Sequence, residues 1–320
     1  MVNRFVDGEW TTEYESTDEE GEFQRQPTTF RDTVDKADIE AGRYHLYVSY
    51  ACPWAHRTLV TRKLLGLEDV ISVDVVDPYR DEGGWQFTPE KEGCTADSIN
   101  DFDYLREAYV EADPNYTGRV TVPVLWDKEE DTIVNNESRE IMRNLTTAFA
   151  DAGNGVDLAP PELREEIDQV LDDIYEPINN GVYRTGFAET QQAYDKAVSE
   201  LFDALDHWNG VLEDQRYLVG EQLTEADIAM YTTLVRFDEV YHAHFMCNHK
   251  LIREYDALWP YLRDLYQTQG FGETTHMSHI KEHYYTTHPD VSPKRIVPMG
   301  PNPGFEAPHD RDSLAGEPPL

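Results

Sequence analysis

Basic residues are scarce in this chain of 320 residues: 27 lysines and arginines stand against 63 aspartates and glutamates, a formal net charge of −36. So anionic a surface repels phosphate backbones and acidic lipid headgroups, so neither nucleic acid nor a membrane is expected as a partner. Cysteine is scarce too. Cys52, Cys94 and Cys247 cannot build a disulfide framework, and their spacing fits no zinc site. No apolar run approaches the ~18–20 residues of a membrane span. The N-terminus lacks the basic and apolar regions of a signal peptide, and the expectation is a cytoplasmic protein.

The acids are spread along the chain and form no block, which argues against a disordered acidic tail. In dilute salt that charge would strain the compact state by self-repulsion. Multimolar salt shortens the Debye length to about 3 Å or less and removes the strain. Composition therefore points to a salt-rich cytoplasm, that of a halophile. The length leaves room for one large domain or two ordinary ones.

What is present is organised around Ser49-Tyr50-Ala51-Cys52-Pro53-Trp54-Ala55-His56-Arg57. A β-rich run, Tyr44 to Val48, leads in and an amphipathic helical run leads out. Pro53 suits the first helical position because that position has no use for an N–H. The helix N-terminus then favours thiolate over thiol at Cys52 and makes it a nucleophile. The plain alternative is a small buried hydrophobe, a common fate of free cysteine. Ala55 makes the motif C-x-x-A, so no resolving thiol follows, and a mixed disulfide at Cys52 needs an outside thiol for its release.

Residues 1–41 read as an acidic extended arm. A strand over 43–49, a helix over 53–66 and a strand over 70–76 form a βαβ unit with a parallel pair. Residues 77–118 are a long interruption containing Gly83-Gly84-Trp85 and a helical stretch from Asp101 to Ala112. Strand character resumes over Val120-Thr121-Val122-Pro123-Val124-Leu125-Trp126. There the proline marks either an edge or a cis bond beside a bound peptide-like ligand. Thr132–Val134 forms a short strand, and Asn136-Glu137-Ser138 opens a helix to about Ala150. Cysteine after the first strand and Val-Pro before the third is the thioredoxin-fold order. Beyond the linker Gly153–Pro161 the spacing of Ile167, Leu171 and Ile174, then of Val198, Leu201, Leu205 and Trp208, is helical. Thr224 and Asp227 form a capping box. The stretch from 286 is rich in proline and glycine and reads as irregular.

A thioredoxin-like α/β N-terminal domain followed by an all-α C-terminal domain is the glutathione transferase plan. The segments Cys52–Arg57, Gly118–Asp127, Thr132–Ser138, His279–Tyr285 and Ile296–Pro301 closely resemble the glutathionyl-hydroquinone reductases, the xi-class transferases. Ser292 departs from the asparagine expected there, and the acidity is unusual for the family. The resemblance divides the chain into an arm (1–41), a thiol-binding domain (42–150), a helical domain (151–285) and an extended tail (286–320).

The resemblance also implies roles. Cys52 is the nucleophile, and the main chain of Val122, before a cis Pro123, pairs with the cysteinyl part of a γ-glutamyl thiol. Glu137 and Ser138 hold the γ-glutamyl end; helix capping by Ser138 or Asn136 is their plain alternative. Trp85, Arg119 and Val120 complete the thiol site. Tyr183, with Tyr284 or Tyr285, shields and hydrogen-bonds the quinol. The co-substrate is glutathione or γ-glutamylcysteine, the activity is thiol-dependent reduction of S-glutathionyl-hydroquinones, and a homodimer is expected. Two alternatives stay open: an omega-like thiol transferase or dehydroascorbate reductase, and a non-catalytic transferase-fold binding module. His276, His279 and His283 share a helix face and offer a rival metal site, but the family signature already accounts for two of them, and no metal is expected.

Overall fold

The computed structural model describes residues 3–12 and 16–319 and divides into two compact units. One is built from the N-terminal hairpin with residues 25–155 and 274–297, the other from residues 16–24, 156–273 and 298–319. In chain order the first unit holds β1 (Arg4–Val6), β2 (Glu9–Thr11), β3 (Tyr44–Val48), α1 (Pro53–Leu64), β4 (Ser72–Val75), α2 (Arg106–Ala112), β5 (Gly118–Arg119), β6 (Val124–Asp127), β7 (Thr132–Asn135) and α3 (Ser138–Thr147).

Its central sheet has the order β4-β3-β6-β7. β3 and β4 run parallel with Val48 opposite Val75, while β3–β6 and β6–β7 are antiparallel. All five residues of β3 are buried, so the strand reads as a continuous run instead of an alternating one. α1 and α3 pack together. This is the thioredoxin-like order expected from the sequence.

Two details differ from that expectation. The β run from Val120 to Trp126 is not one strand: β5 ends at Arg119, β6 begins at Val124, and the Val122–Pro123 peptide between them is cis. Pro123 has no N–H for a ladder, and β5 pairs with β1, not with the central sheet. The arm also begins with a hairpin, β1–β2, whose turn residues Asp7 and Gly8 have φ of +48° and +79°. An Asp-Gly pair with both residues left-handed makes the tight turn that matches strand twist. A Cβ at Gly8 would meet the Pro114 carbonyl oxygen at 2.2 Å. The strands are too short to show alternation in sequence.

The second unit is helical: α4 (Arg164–Ile174), α5 (Gly181–Gly186), α6 (Gln191–Asp214), α7 (Glu225–Arg236), α8 (His242–His244) and α9 (Leu258–Gln267). Two π-helical turns, Tyr175–Asn179 and Phe237–Tyr241, interrupt the run. α7 is buried along its whole length and opens with the expected Thr224–Asp227 capping box. Its anchor is the Asp227 carboxylate. It accepts from the amides of Leu218 and Thr224, each at 2.9 Å, from the Thr224 hydroxyl at 3.2 Å and from the Tyr261 phenol at 2.9 Å. Burial pushes the carboxyl up to about 6 against the pull of these donors, so it is an anion at neutral pH. α10 (Met277–Thr287) packs with the first unit, on the loop that follows β4. No helix among the described residues is long and apolar enough to cross a membrane.

Asp227→Ala leaves four buried donors without an acceptor and is expected to cost about 3–5 kcal/mol. Denaturant unfolding measures it; a loss below about 1 kcal/mol would show that the cap does not hold the helical unit together.

Candidate active site around Cys52

Ser49 through Cys52 turn the chain from β3 into α1, with the Cys52 amide bonded to the Ser49 carbonyl at 3.1 Å. Cys52 is the N-cap of α1, with Pro53 inside the first turn. It is half-buried, so its sulfur is sheltered yet reachable. The Cys52 Sγ lies 3.5 Å from the Val122 carbonyl oxygen. That contact brings together two residues far apart in sequence, the cysteine and the main chain before the cis proline. Arg57, one turn along α1, lies over the Trp54 ring at 4.4 Å and reaches the Ser138 hydroxyl at 3.5 Å.

The start of α3 supplies the next part. Glu137 is its N-cap and accepts from the Arg139 amide at 3.3 Å. The cap thus falls to Glu137, not to Ser138 or Asn136. The other Glu137 oxygen accepts from the Thr28 hydroxyl at 3.2 Å. Ser138 is buried in the first turn, where unpaired amides and the positive dipole end suit a carboxylate ligand. Asn136 instead fixes the arm, bonding the Phe30 main chain in both directions.

Trp85 is buried and stacks on His283 of α10, with ring centroids 5.1 Å apart. α10 is clamped to the loop after β4 at several points. His283 bonds the Pro78 carbonyl at 2.7 Å, His279 the Glu92 carbonyl at 2.8 Å, and Thr287 accepts from the Arg80 amide at 3.2 Å. Lys91 joins Asp77 at 2.7 Å and Glu282 of α10. His276 stacks on Tyr50 at 3.7 Å, and burial with the neighbouring His279 lowers it to about 4. The three histidines of the rival metal reading therefore turn to three different partners. Tyr284 and Tyr285 are both buried on α10. Arg119 and Val120 lie on the segment leading to Val122, Val120 buried and Arg119 half-buried. Tyr183 belongs to the second unit, half-buried among Phe23, Phe187, Tyr241 and Phe245 with ring centroids 5.5–6.5 Å away.

Residues 51–148 match the family described as glutathione S-transferase, N-terminal domain, and residues 191–264 that described as glutathione S-transferase, C-terminal domain. The chain is similar to the glutathionyl-hydroquinone reductase YqjG of Escherichia coli (strain K12), 47% identical across 98% of this chain and 100% of that one. It belongs to the glutathionyl-hydroquinone reductase family. A second relative, the glutathionyl-hydroquinone reductase PcpF of Sphingobium chlorophenolicum, is 48% identical across 92% and 95% of the two chains. Among solved structures, a xi-class transferase from the halophile Natrialba magadii matches with a TM-score of 0.94 and 67% identity, covering 99% of this chain and 98% of that one. A glutathione-bound structure of YqjG matches with a TM-score of 0.86 and 47% identity, covering 88% and 96%. Omega-like transferases of yeasts also match, at 47% identity for the Schizosaccharomyces pombe protein.

One residue of this glutathionyl-hydroquinone reductase chain escaped sequence reasoning. Tyr109, fully buried on α2, donates to the Thr121 carbonyl at 2.8 Å and accepts from the Thr121 amide and the Asn136 side chain at 3.2 and 3.1 Å. One phenol thus ties the segment before Val122 to the segment before Glu137. With 19 tyrosines in the chain, nothing in sequence singles it out. In the second unit Asp264, His309 and Asp312 approach within 4.8 Å. Arg216 already bonds Asp264 at 2.8 and 2.9 Å and Asp312 at 2.9 Å, so the cluster has its cation.

Tyr109→Phe removes all three bonds at once and is expected to lower stability by about 1–3 kcal/mol and to raise the apparent KM for thiol more than it lowers kcat. Steady-state kinetics beside denaturant melts check this; loss of stability with KM unchanged would confine Tyr109 to packing.

Proposed function

We propose that the chain reduces S-glutathionyl-hydroquinones to free hydroquinones at the expense of a γ-glutamyl thiol, with Cys52 as nucleophile. The observation that carries the reading is Cys52 at the N-cap of α1, beside the Val122 main chain and with Ala55 where a resolving cysteine would sit. The Cys52 thiolate attacks the thioether sulfur. An S–S bond forms, the aryl C–S bond breaks, and its electron pair passes to the ring carbon, which takes up a proton. A second thiol, as thiolate, then attacks the mixed disulfide, releasing oxidised thiol and the Cys52 thiolate. One free thiol is consumed for each aryl thioether reduced, the conjugate's own sulfur supplying the other half of the disulfide.

Val122 pairs with the cysteinyl part of the thiol, Glu137 takes its ammonium, and Ser138 with the α3 amides takes its carboxylate. Trp85, Arg119 and Val120 frame the rest, and Tyr284 or Tyr285 hydrogen-bonds the departing quinol. The role of Tyr183 rests on the family resemblance alone. Glutathione and γ-glutamylcysteine both carry the group that Glu137 and Ser138 would read. A cytoplasmic homodimer remains the working expectation for the assembly. No other cysteine can resolve the intermediate by proximity in sequence, and burial pushes both Cys94 and Cys247 away from the thiolate form.

Cys52→Ser should abolish release of menadiol from glutathionyl-menadiol at high potassium chloride, whereas retained activity would end the scheme. Glu137→Gln should raise the KM for either thiol by roughly 10-fold, the loss of one charge-assisted bond, with kcat little changed; an unchanged KM would remove Glu137 from the thiol site. Faster turnover of hydroxyethyl disulfide than of the aryl conjugate would favour the omega-like alternative.

A further inference from the structure

His276, His279 and His283 stand at i, i+3 and i+7, a spacing that a helix turns into one face. The thiol chemistry proposed above uses none of them. His276 is the N-cap of α10, and the other two are buried within that helix. His276 and His283 are therefore two turns apart, about 10 Å along the axis.

Each end of this face carries a stacked ring. The His276 imidazole lies on the Tyr50 ring with centroids 3.7 Å apart and planes 14° from parallel, and His283 lies on Trp85 at 5.1 Å and 21°. Elsewhere in the chain the described histidine–aromatic contacts are tilted or edge-on, at 38° to 77°. Hydrogen bonds lock the face in place. His283 donates from Nδ1 to the Pro78 carbonyl at 2.7 Å, and His279 from Nε2 to the Glu92 carbonyl at 2.8 Å. A carbonyl only accepts, so both proton positions are set. A Cβ at Gly93, where φ is +79°, would lie 2.8 Å from the His279 Nε2, so glycine is what lets the loop close on the helix.

The two stacked rings belong to the two segments that leave the carboxyl edge of the parallel β3–β4 pair. Only Ala51 separates Tyr50 from Cys52. The turn is closed by the Ala51 and Cys52 amides, which bond the Ser49 hydroxyl at 3.3 Å and its carbonyl at 3.1 Å. So short a turn passes a shift of the Tyr50 ring on to the sulfur and to its 3.5 Å contact with the Val122 carbonyl. At Trp85 the main chain is held without α10, because the Leu105 amide bonds its carbonyl at 2.9 Å. What His283 fixes there is the orientation of the indole.

We propose that the histidine face of α10 is a positioning surface for the active site, His276 bracing the Cys52 turn through Tyr50 and His283 bracing the Trp85 indole. The proposal rests on Cys52 as the nucleophile and on Trp85 as part of the thiol site. The role belongs to the ring faces, and neither protons nor a metal enter it. Burial with the neighbouring His279 lowers His276 to about 4, so its ring is neutral at pH 7 and a phenyl ring can replace it.

The test is steady-state turnover of glutathionyl-menadiol with glutathione at high potassium chloride, in the full chain carrying Leu or Phe at position 276 or 283. Kinetics are read at a temperature where melting curves show every variant folded. Leu and Phe at 283 both lose the bond to Pro78, so the difference between them isolates the ring. His276→Leu should lower kcat roughly tenfold, the effect of a displaced nucleophile, with the thiol KM little changed. His283→Leu should raise the thiol KM by roughly three- to tenfold, the affinity equivalent of a lost aromatic stack, with kcat little changed. Phe should restore most of the loss at each position. Adding His283→Leu to Trp85→Leu should raise the KM no further than Trp85→Leu alone. Phe variants as impaired as the Leu variants would point to ligation or proton transfer and overturn the brace, as would Leu variants with wild-type kinetics or an additive double variant. Trp85→Leu with an unchanged KM, or an active Cys52→Ser, instead overturns the underlying site reading, and these controls stand apart from the histidine variants.

Discussion

Val48 and Val75 face each other across the parallel β3–β4 pair, and the two segments leaving that edge lead to Cys52 and to Trp85. One turns at Ser49–Cys52 into α1 and spends its cysteine on the N-cap. The other enters the long loop that carries Arg80 and Trp85 and is fastened by α10. Parallel pairing requires a crossover, here α1, and the crossover's N-terminus must lie at the strand's carboxyl end. The helix dipole is therefore delivered to the thiol by topology. Everything else at the site is brought to that point: the Val122 carbonyl by the cis proline, the α3 N-terminus by β7, the indole by the clamp on α10.

The charge of the protein is distributed in two regimes. Exposed acids cover the surface, where salt and water decide their energetics. Deeper in, some arginines are held by carboxylates and others by main-chain carbonyls, as Arg311 is by those of Leu212, Gln215 and Arg216. Arg43 is held by Asp127 at 2.6 Å and Arg216 by Asp264 and Asp312, each with its charge favoured by the carboxylate it bonds. The planar, bidentate guanidinium suits such sites better than an ammonium, in keeping with a chain in which arginine outnumbers lysine. Arg25 and Arg57 both lie over the Trp54 ring, at 4.9 and 4.4 Å, and Arg80 lies over Trp85 at 5.5 Å.

What the amino-acid order determined alone is local. Pro53 after Cys52, the Thr224–Asp227 box, Val-Pro before the third central strand and the alternation of strand and helix are all set by neighbours within a few residues. Backbone preference and capping operate at that range, so they can be read directly. The β1–β2 hairpin stands at the limit of this reading, because its strands are too short for a period although Asp7-Gly8 names the turn.

Long-range choices belonged to the folded chain. His276, His279 and His283 share a face if their segment is helical, but the packing partner of Met277–Thr287 is the loop after β4, reached through main-chain carbonyls that have no sequence signature. Tyr109 joins Thr121 to Asn136 through one hydroxyl, and Glu137 in place of its neighbours caps α3. Such contacts depend on which surfaces meet in space; burial and satisfied hydrogen bonds select them only once the sheet has formed.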